Sequence, residues 1–182
     1  AIRLNILTKK TYIQSKSFDE IAHLSKRAGD MASCIPAIPP VVPDTRIYRL
    51  SSRFGYRKDP FSGRTKSHTG VDFAMKPGNP IYATGDGIVT NVKFELFGYG
   101  NQVVIDHGFG YKTRYAHMKT IGVVEGMKVK RGECIGLSGN SGRSSGPHLH
   151  YEVIYKDRHV NPANYYDLTI TPEEYATMVQ NT

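Results

Sequence analysis

The chain has 182 residues, 39% of them hydrophobic, and a formal charge of +8. That length supports one compact domain with an appendage and a core that needs no disulfides, and no apolar run approaches the roughly 20 residues that cross a bilayer. The two cysteines, Cys34 and Cys134, stand in unrelated contexts, which excludes a cysteine zinc cluster or a disulfide framework, and the basic residues are too scattered for a nucleic-acid partner, leaving acidic surfaces or polymers as the expected anionic partners.

The sequence opens Ala1-Ile2 with no charged start and apolar stretch, so any signal or membrane anchor is expected in a segment outside it. Residues 17–33 predict a short amphipathic helix. Ser17-Phe18-Asp19-Glu20 is a capping box, and Phe18, Ile21, Ala22, Ala28 and Met31 recur at near-helical spacing. The stretch IPAIPPVVP, residues 35–43, holds four prolines in nine positions and reads as a stiff, extended connector. From Arg46 to about Leu168 the pattern turns to short strands punctuated by glycine: Ile88 to Phe94, Gln102 to Asp106, Tyr111 to His117, Cys134 to Leu137 and His148 to Tyr155. Strands at this spacing predict a mainly β fold, a small antiparallel sheet or sandwich, with short helices at each end. The second helix starts at the capping box Thr171-Pro172-Glu173-Glu174. The expected organisation is an N-terminal helical arm and Pro-rich connector over 1–44, a β domain over 45–168 and a C-terminal helix over 169–182.

The chemistry concentrates in histidine, of which the chain has seven. In GPHLHYE, residues 146–152, His148 and His150 share one face of a strand about 7 Å apart at Cβ. At that distance one ring binds a metal easily while the other stands behind it, or both are ordinary polar-face residues. In SHTGVDF, residues 67–73, His68 and Asp72 on a straight strand would be about 13 Å apart, too far for one ion. A bend at Gly70 would bring them together; without one they are a loop histidine and a turn aspartate. His117 closes an alternating strand on the side of Thr113 and Tyr115, a rim position with a structural or a catalytic use. His23, on the first helix, His107, in a turn, and His159, in a polar hairpin, are weaker candidates. Taken jointly, His68, Asp72 and one member of the 148/150 pair supply the three nitrogen and oxygen donors of a catalytic zinc site. The other member and His117 remain for proton transfer and for stabilising an oxyanion.

HTGVD, YAHM and GNSGRSSGPHLHYEV, with FGYRKDP and VKRGECIGLSG between and before them, resemble the lysostaphin-type (LytM-domain) zinc endopeptidases of bacterial peptidoglycan. The likeness runs from about Ser51 to Asn164; the ends VNPANYY and TPEEY look like envelope-anchored members from the Bacteroides-like lineage. The resemblance implies a small antiparallel β domain with an open groove and one zinc ion held by His68, Asp72 and His150. It implies His148 as general base and His117 as its partner in stabilising the transition state. Peptidoglycan peptide stems are the implied substrate, attacked by a zinc-bound water at a D-alanyl-diamino acid cross-link or a glycine bridge, the likeness to Gram-negative-looking members favouring the first. The implied location is extracytoplasmic, in the cell envelope or periplasm, with membrane anchoring in the full-length protein. Arg57 in FGYRKDP would meet a substrate carboxylate or serve as an exposed structural arginine. Two other readings compete: an inactive cell-wall-binding or hydrolase-activating module of the same fold, which would be expected to lack ligands, and a basic β-module for an anionic polymer with incidental histidines. The arm, with an apolar helical face and no partner within itself, is expected to pack on the domain, as a simple cover or as a lid over the groove.

Overall fold

The structure, a computed structural model, describes residues 2–58 and 63–180, with side chains from Gln14 to Val179. Helix α1 spans Ile2–Cys34, 33 residues, so the capping pattern at Ser17 lies inside a helix and does not start one. The preceding residues carry no regular apolar stripe, yet they contain neither proline nor glycine to stop a helix. The helix ends just before Ile35-Pro36, where the proline ring disfavours helical backbone in the residue ahead of it. The chain divides into two compact units between Ser33 and Cys34.

The Pro-rich segment lies in the second unit, where it does more than span a distance. Ile38 and Val41 are buried, the Tyr82 amide donates to the Pro40 carbonyl (2.9 Å), and the Tyr175 hydroxyl donates to the Pro39 carbonyl (3.0 Å). Tyr175 belongs to the C-terminal helix α2, Pro172–Gln180. That helix starts as its sequence predicts: the Glu174 amide donates to Thr171 Oγ1 (3.2 Å) and the Thr171 amide to Glu174 Oε2 (2.7 Å).

Between these segments the fold is antiparallel β. The strands are β1 Tyr48–Ser52, β2 Gly55–Lys58, β3 Thr65–His68, β4 Val71–Met75, β5 Pro80–Tyr82, β6 Gly87–Lys93 and β7 Gln102–Gly108. They continue as β8 Tyr111–Ala116, β9 Met118–Ile121, β10 Lys128–Val129, β11 Cys134–Ser138, β12 His148–Tyr155 and β13 Arg158–Val160. The main sheet runs β1-β4-β12-β8-β7-β6-β10, with β13 on β12; β5-β11-β9 form a second sheet and β2-β3 a two-stranded ribbon. The mainly β, antiparallel expectation holds, although the N-terminal helix is long.

Strand β12 lies inside the main sheet, between β4 and β8, and is buried along most of its length. Its odd-numbered residues Leu149, Tyr151 and Val153 are inaccessible to solvent and pack in the core with Phe73, Ile105 and Tyr115. The other face carries His148, His150 and Glu152. Antiparallel register sets His150 opposite Asp72 of β4 on one side and opposite Ala116 of β8 on the other. His117 follows directly, so side chains far apart in sequence come from adjacent strands.

Candidate metal centre and catalytic groove

His68 and Asp72 meet because the chain changes sheets between them. His68 ends the ribbon strand β3, and Asp72 lies on β4 of the main sheet. Of the two readings of this stretch, the one with a break at Gly70 is what the structure has, and close packing explains why a glycine stands there. A Cβ there would collide with the Tyr151 carbonyl oxygen and stand 2.9 Å from the His150 ring and 3.0 Å from Glu152 Cγ.

The three side chains expected to bind metal converge. His68 Nε2 is 3.2 Å from Asp72 Oδ1, His150 Nδ1 is 2.8 Å from the same oxygen, and the two nitrogens are 3.2 Å apart. All three residues are buried. Hydrogen-bond logic fixes what these atoms offer. His68 Nδ1 faces the Arg53 carbonyl (2.8 Å), which can only accept, so its proton is on Nδ1 and the Nε2 lone pair is turned inward. His150 Nε2 faces Glu152 Oε1 (3.1 Å), leaving the Nδ1 lone pair inward. Burial pushes the Glu152 carboxyl up, but His150, Thr69 and Arg114 outweigh it and hold it down at about 2, so it is ionised and accepts.

With both imidazoles neutral, two lone pairs and a carboxylate oxygen therefore point at one another with no donor among them. Such a cluster is satisfied by positive charge, either a proton on an imidazole or a metal ion taken by all three atoms. A tetrahedral ion with donors at about 2.0–2.1 Å sets neighbouring donors about 3.3 Å apart, close to the spacing seen here, and two nitrogens with one oxygen are a zinc-type set. The outer contacts from Arg53 and Glu152 are those that orient ligating imidazoles. Arg57 Nη2 holds the second oxygen of Asp72 at 3.3 Å. Burial pushes the Asp72 carboxyl up, yet the imidazoles of His150 and His68 outweigh it and keep it below the usual carboxylate range. His150 shows the converse: burial pushes its imidazole down, and Asp72 and Glu152 draw it up, the mark of a site that attracts positive charge.

His148 and His117 stand beside this cluster. The His148 Nδ1 proton is held by the Gly146 carbonyl (2.7 Å), and its Nε2 is 3.7 Å from Asp72 Oδ1. Of the pair 148/150, His150 is thus drawn into the cluster and His148 is left beside it. The His117 ring lies 4.6 Å from that of His148, and its Nδ1 donates to the Ser141 carbonyl (2.8 Å). Burial pushes the His117 imidazole down to about 4, so it is neutral near pH 7. Its backbone is left-handed (φ 60°), rare for a residue with a side chain, and the Tyr99 carbonyl fixes it by accepting from the His117 amide (2.9 Å).

These side chains open into a groove of about 870 Å³ whose rim includes Arg57, Lys58, Lys66 and Arg143. Among the weaker candidates, His107 is buried elsewhere, against Thr113 (2.7 Å), and His23 lies on α1. His159 reaches Glu152 Oε2 (3.2 Å). The sequence reading missed Glu152 itself. Its signal was only the strand period, which sets it on the face of His148 and His150.

Residues 66–162 match the sequence profile of Peptidase family M23. The peptidoglycan DD-endopeptidase ShyA of Vibrio cholerae is 50% identical over 115 residues, 63% of this chain and 26% of that protein. The DD-carboxypeptidase/endopeptidase Mpg of Neisseria meningitidis is 46% identical over 116 residues, 64% and 26% respectively. The chain thus spans about a quarter of the length of these curated relatives. Among solved structures, a zinc-containing peptidase from Vibrio cholerae superposes with a TM-score of 0.62 at 44% identity, covering 69% of this chain and 39% of that one. The catalytic domain of lysostaphin from Staphylococcus simulans gives 0.59 at 29% identity, covering 65% and 91%. These relatives lend the narrower likeness to Bacteroides-like members no support. With its profile match spanning more than half of the sequence, the chain belongs to Peptidase family M23.

Proposed function

We propose that the chain is a zinc endopeptidase that hydrolyses peptide cross-links of bacterial peptidoglycan, with one ion held by His68, Asp72 and His150. The acceptor-only cluster beside two further imidazoles, in an open groove, is the observation that carries this reading. The names of the similar proteins support the same substrate class.

Zinc in such a site supplies Lewis acidity, polarising a carbonyl and making a water acidic enough to be activated near neutral pH. The protein does the rest. With its proton fixed on Nδ1 by the Gly146 carbonyl, His148 offers Nε2 as the general base that takes the proton of the attacking water and returns it to the leaving amine. His117, its own proton on the Ser141 carbonyl, accepts at Nε2 while neutral and donates there only as imidazolium. While neutral it therefore orients the attacking water by accepting one of its hydrogens at Nε2. Arg57 keeps the Asp72 carboxylate in place from behind.

The cationic rim of Arg57, Lys58, Lys66 and Arg143 suits a peptide bearing free carboxylates, and so favours the D-alanyl-diamino acid cross-link over a neutral glycine bridge. Such a substrate implies work outside the cytoplasm, in the cell envelope. No described helix is long and apolar enough to cross a membrane. Digestion of purified cross-linked muropeptides, with product masses, tests the function: one added water and two stem-peptide fragments are expected from the D-alanyl cross-link. Zinc-loaded protein that binds the muropeptides and leaves them intact would instead support the inactive, wall-binding module.

A further inference from the structure

Glu152 is the one acidic side chain wholly closed to solvent among the described residues, and it has no place among the ligands or proton carriers. Its Oε1 accepts from His150 Nε2 (3.1 Å), from the Tyr99 hydroxyl (2.9 Å) and from the Thr69 hydroxyl. Its Oε2 accepts from Arg114 Nη1 (2.9 Å) and faces His159 Nε2 (3.2 Å). Arg114 in turn lies over the Tyr99 ring, 4.3 Å from its centre.

Two of these contacts bear on the metal ligands. The first decides which nitrogen of His150 carries the proton. The second grips Thr69, which lies in the short link between His68 and Asp72, where Gly70 is pressed against β12. We infer that Glu152 is a positioning residue for the metal centre: one buried carboxylate holds His150 in its Nδ1-ligating tautomer and pins the turn that delivers the other two ligands. This rests on the zinc reading above and extends it to a residue that touches neither metal nor substrate.

Glu152→Gln separates positioning from mere packing, because it keeps the shape and removes the charge. The Arg114 guanidinium is the strongest donor at this position and takes the amide oxygen, which turns the amide NH2 towards His150. Such a donor requires a lone pair on His150 Nε2 and so moves the ring proton to Nδ1, into the ligand cluster. Zinc affinity of the full chain, from competition with a chromophoric chelator, is expected to fall about 10- to 100-fold, the usual effect of removing an outer partner of a ligating histidine. Histidine ¹⁵N NMR of the metal-free protein, at a pH high enough for the His150 ring to be neutral, should show its proton moved from Nε2 to Nδ1. Unchanged affinity in folded Glu152→Gln overturns the inference, and so does weaker binding with the His150 tautomer unaltered. If that variant does not fold, Glu152→Leu with Arg114→Met removes the buried carboxylate together with its partly exposed guanidinium partner. Loss of at least tenfold in zinc affinity is then expected, and wild-type affinity overturns the inference. Failure of the unmodified chain to take up zinc would overturn the metal reading itself, a separate outcome.

Discussion

The two faces of β12 are both buried and both polar in part, and they differ in how their polar atoms end. On the core face the Tyr151 hydroxyl meets Thr84 Oγ1 (2.9 Å), the Tyr115 hydroxyl meets Thr84 and Thr113 (3.0 and 3.1 Å), and Thr113 meets His107 (2.7 Å). Hydroxyls both donate and accept, so this network closes on itself. On the other face, His68, Asp72 and His150 point acceptors at one another and the network stays open until a cation enters. Burial alone does not distinguish structure from chemistry; the sum of donors and acceptors does.

Perturbing each face should therefore give different signatures. The largest effect belongs to His148→Ala, expected to keep its zinc and lose muropeptide cleavage by roughly 10²- to 10⁴-fold, the usual consequence of losing a general base. Loss of the metal along with activity would mean that His148 shares the ligand role. On the core face, Leu149→Ala should cost about 2–5 kcal/mol in urea unfolding, as do other truncations of wholly buried leucines, while the folded variant binds zinc with unchanged affinity. Thr84→Val, which leaves two tyrosine hydroxyls short of a partner, should cost about 1–3 kcal/mol, again with no change in zinc affinity. A weaker zinc site in either variant would show that the two faces are coupled and erase the distinction.

The smallest effect is expected from shortening the chain at the unit boundary. If the arm is a simple cover, a chain beginning at Cys34 should melt slightly lower and cleave at the same rate as the full chain, and one beginning at Thr45, which also loses the buried Ile38 and Val41, should melt lower still. A higher cleavage rate on removing residues 1–33 would identify the helix as a lid over the groove.

Much of this was legible in the sequence where local pattern and outcome share a cause. The strand His148–Tyr155 follows from its aromatic and β-branched residues after Gly146-Pro147, and the helix start at Thr171 from its capping box. Strands β1 to β3 were not legible, because YRLSS, GYRK and TKSH are polar and mostly exposed. The length of α1 was missed for the opposite reason: its first half offers no stripe to read and nothing that stops a helix. Convergence of His68, Asp72 and His150 needed both the sheet change at Gly70 and the β4–β12 register, which bring together residues 78 and 82 apart in sequence. Glu152 was hidden deepest. A glutamate in an alternating strand reads as solvent-facing, and only Tyr99, Arg114 and Thr69, 38 to 83 residues away, make it a buried anchor.

The claim that the open face of β12 is a metal site is tested most directly by counting zinc in the purified full chain and in His150→Ala by elemental analysis. One zinc per chain, removable by chelator with loss of cleavage and absent from the variant, is the predicted result. Full zinc retained in His150→Ala, or none taken up by the unmodified chain, would contradict it.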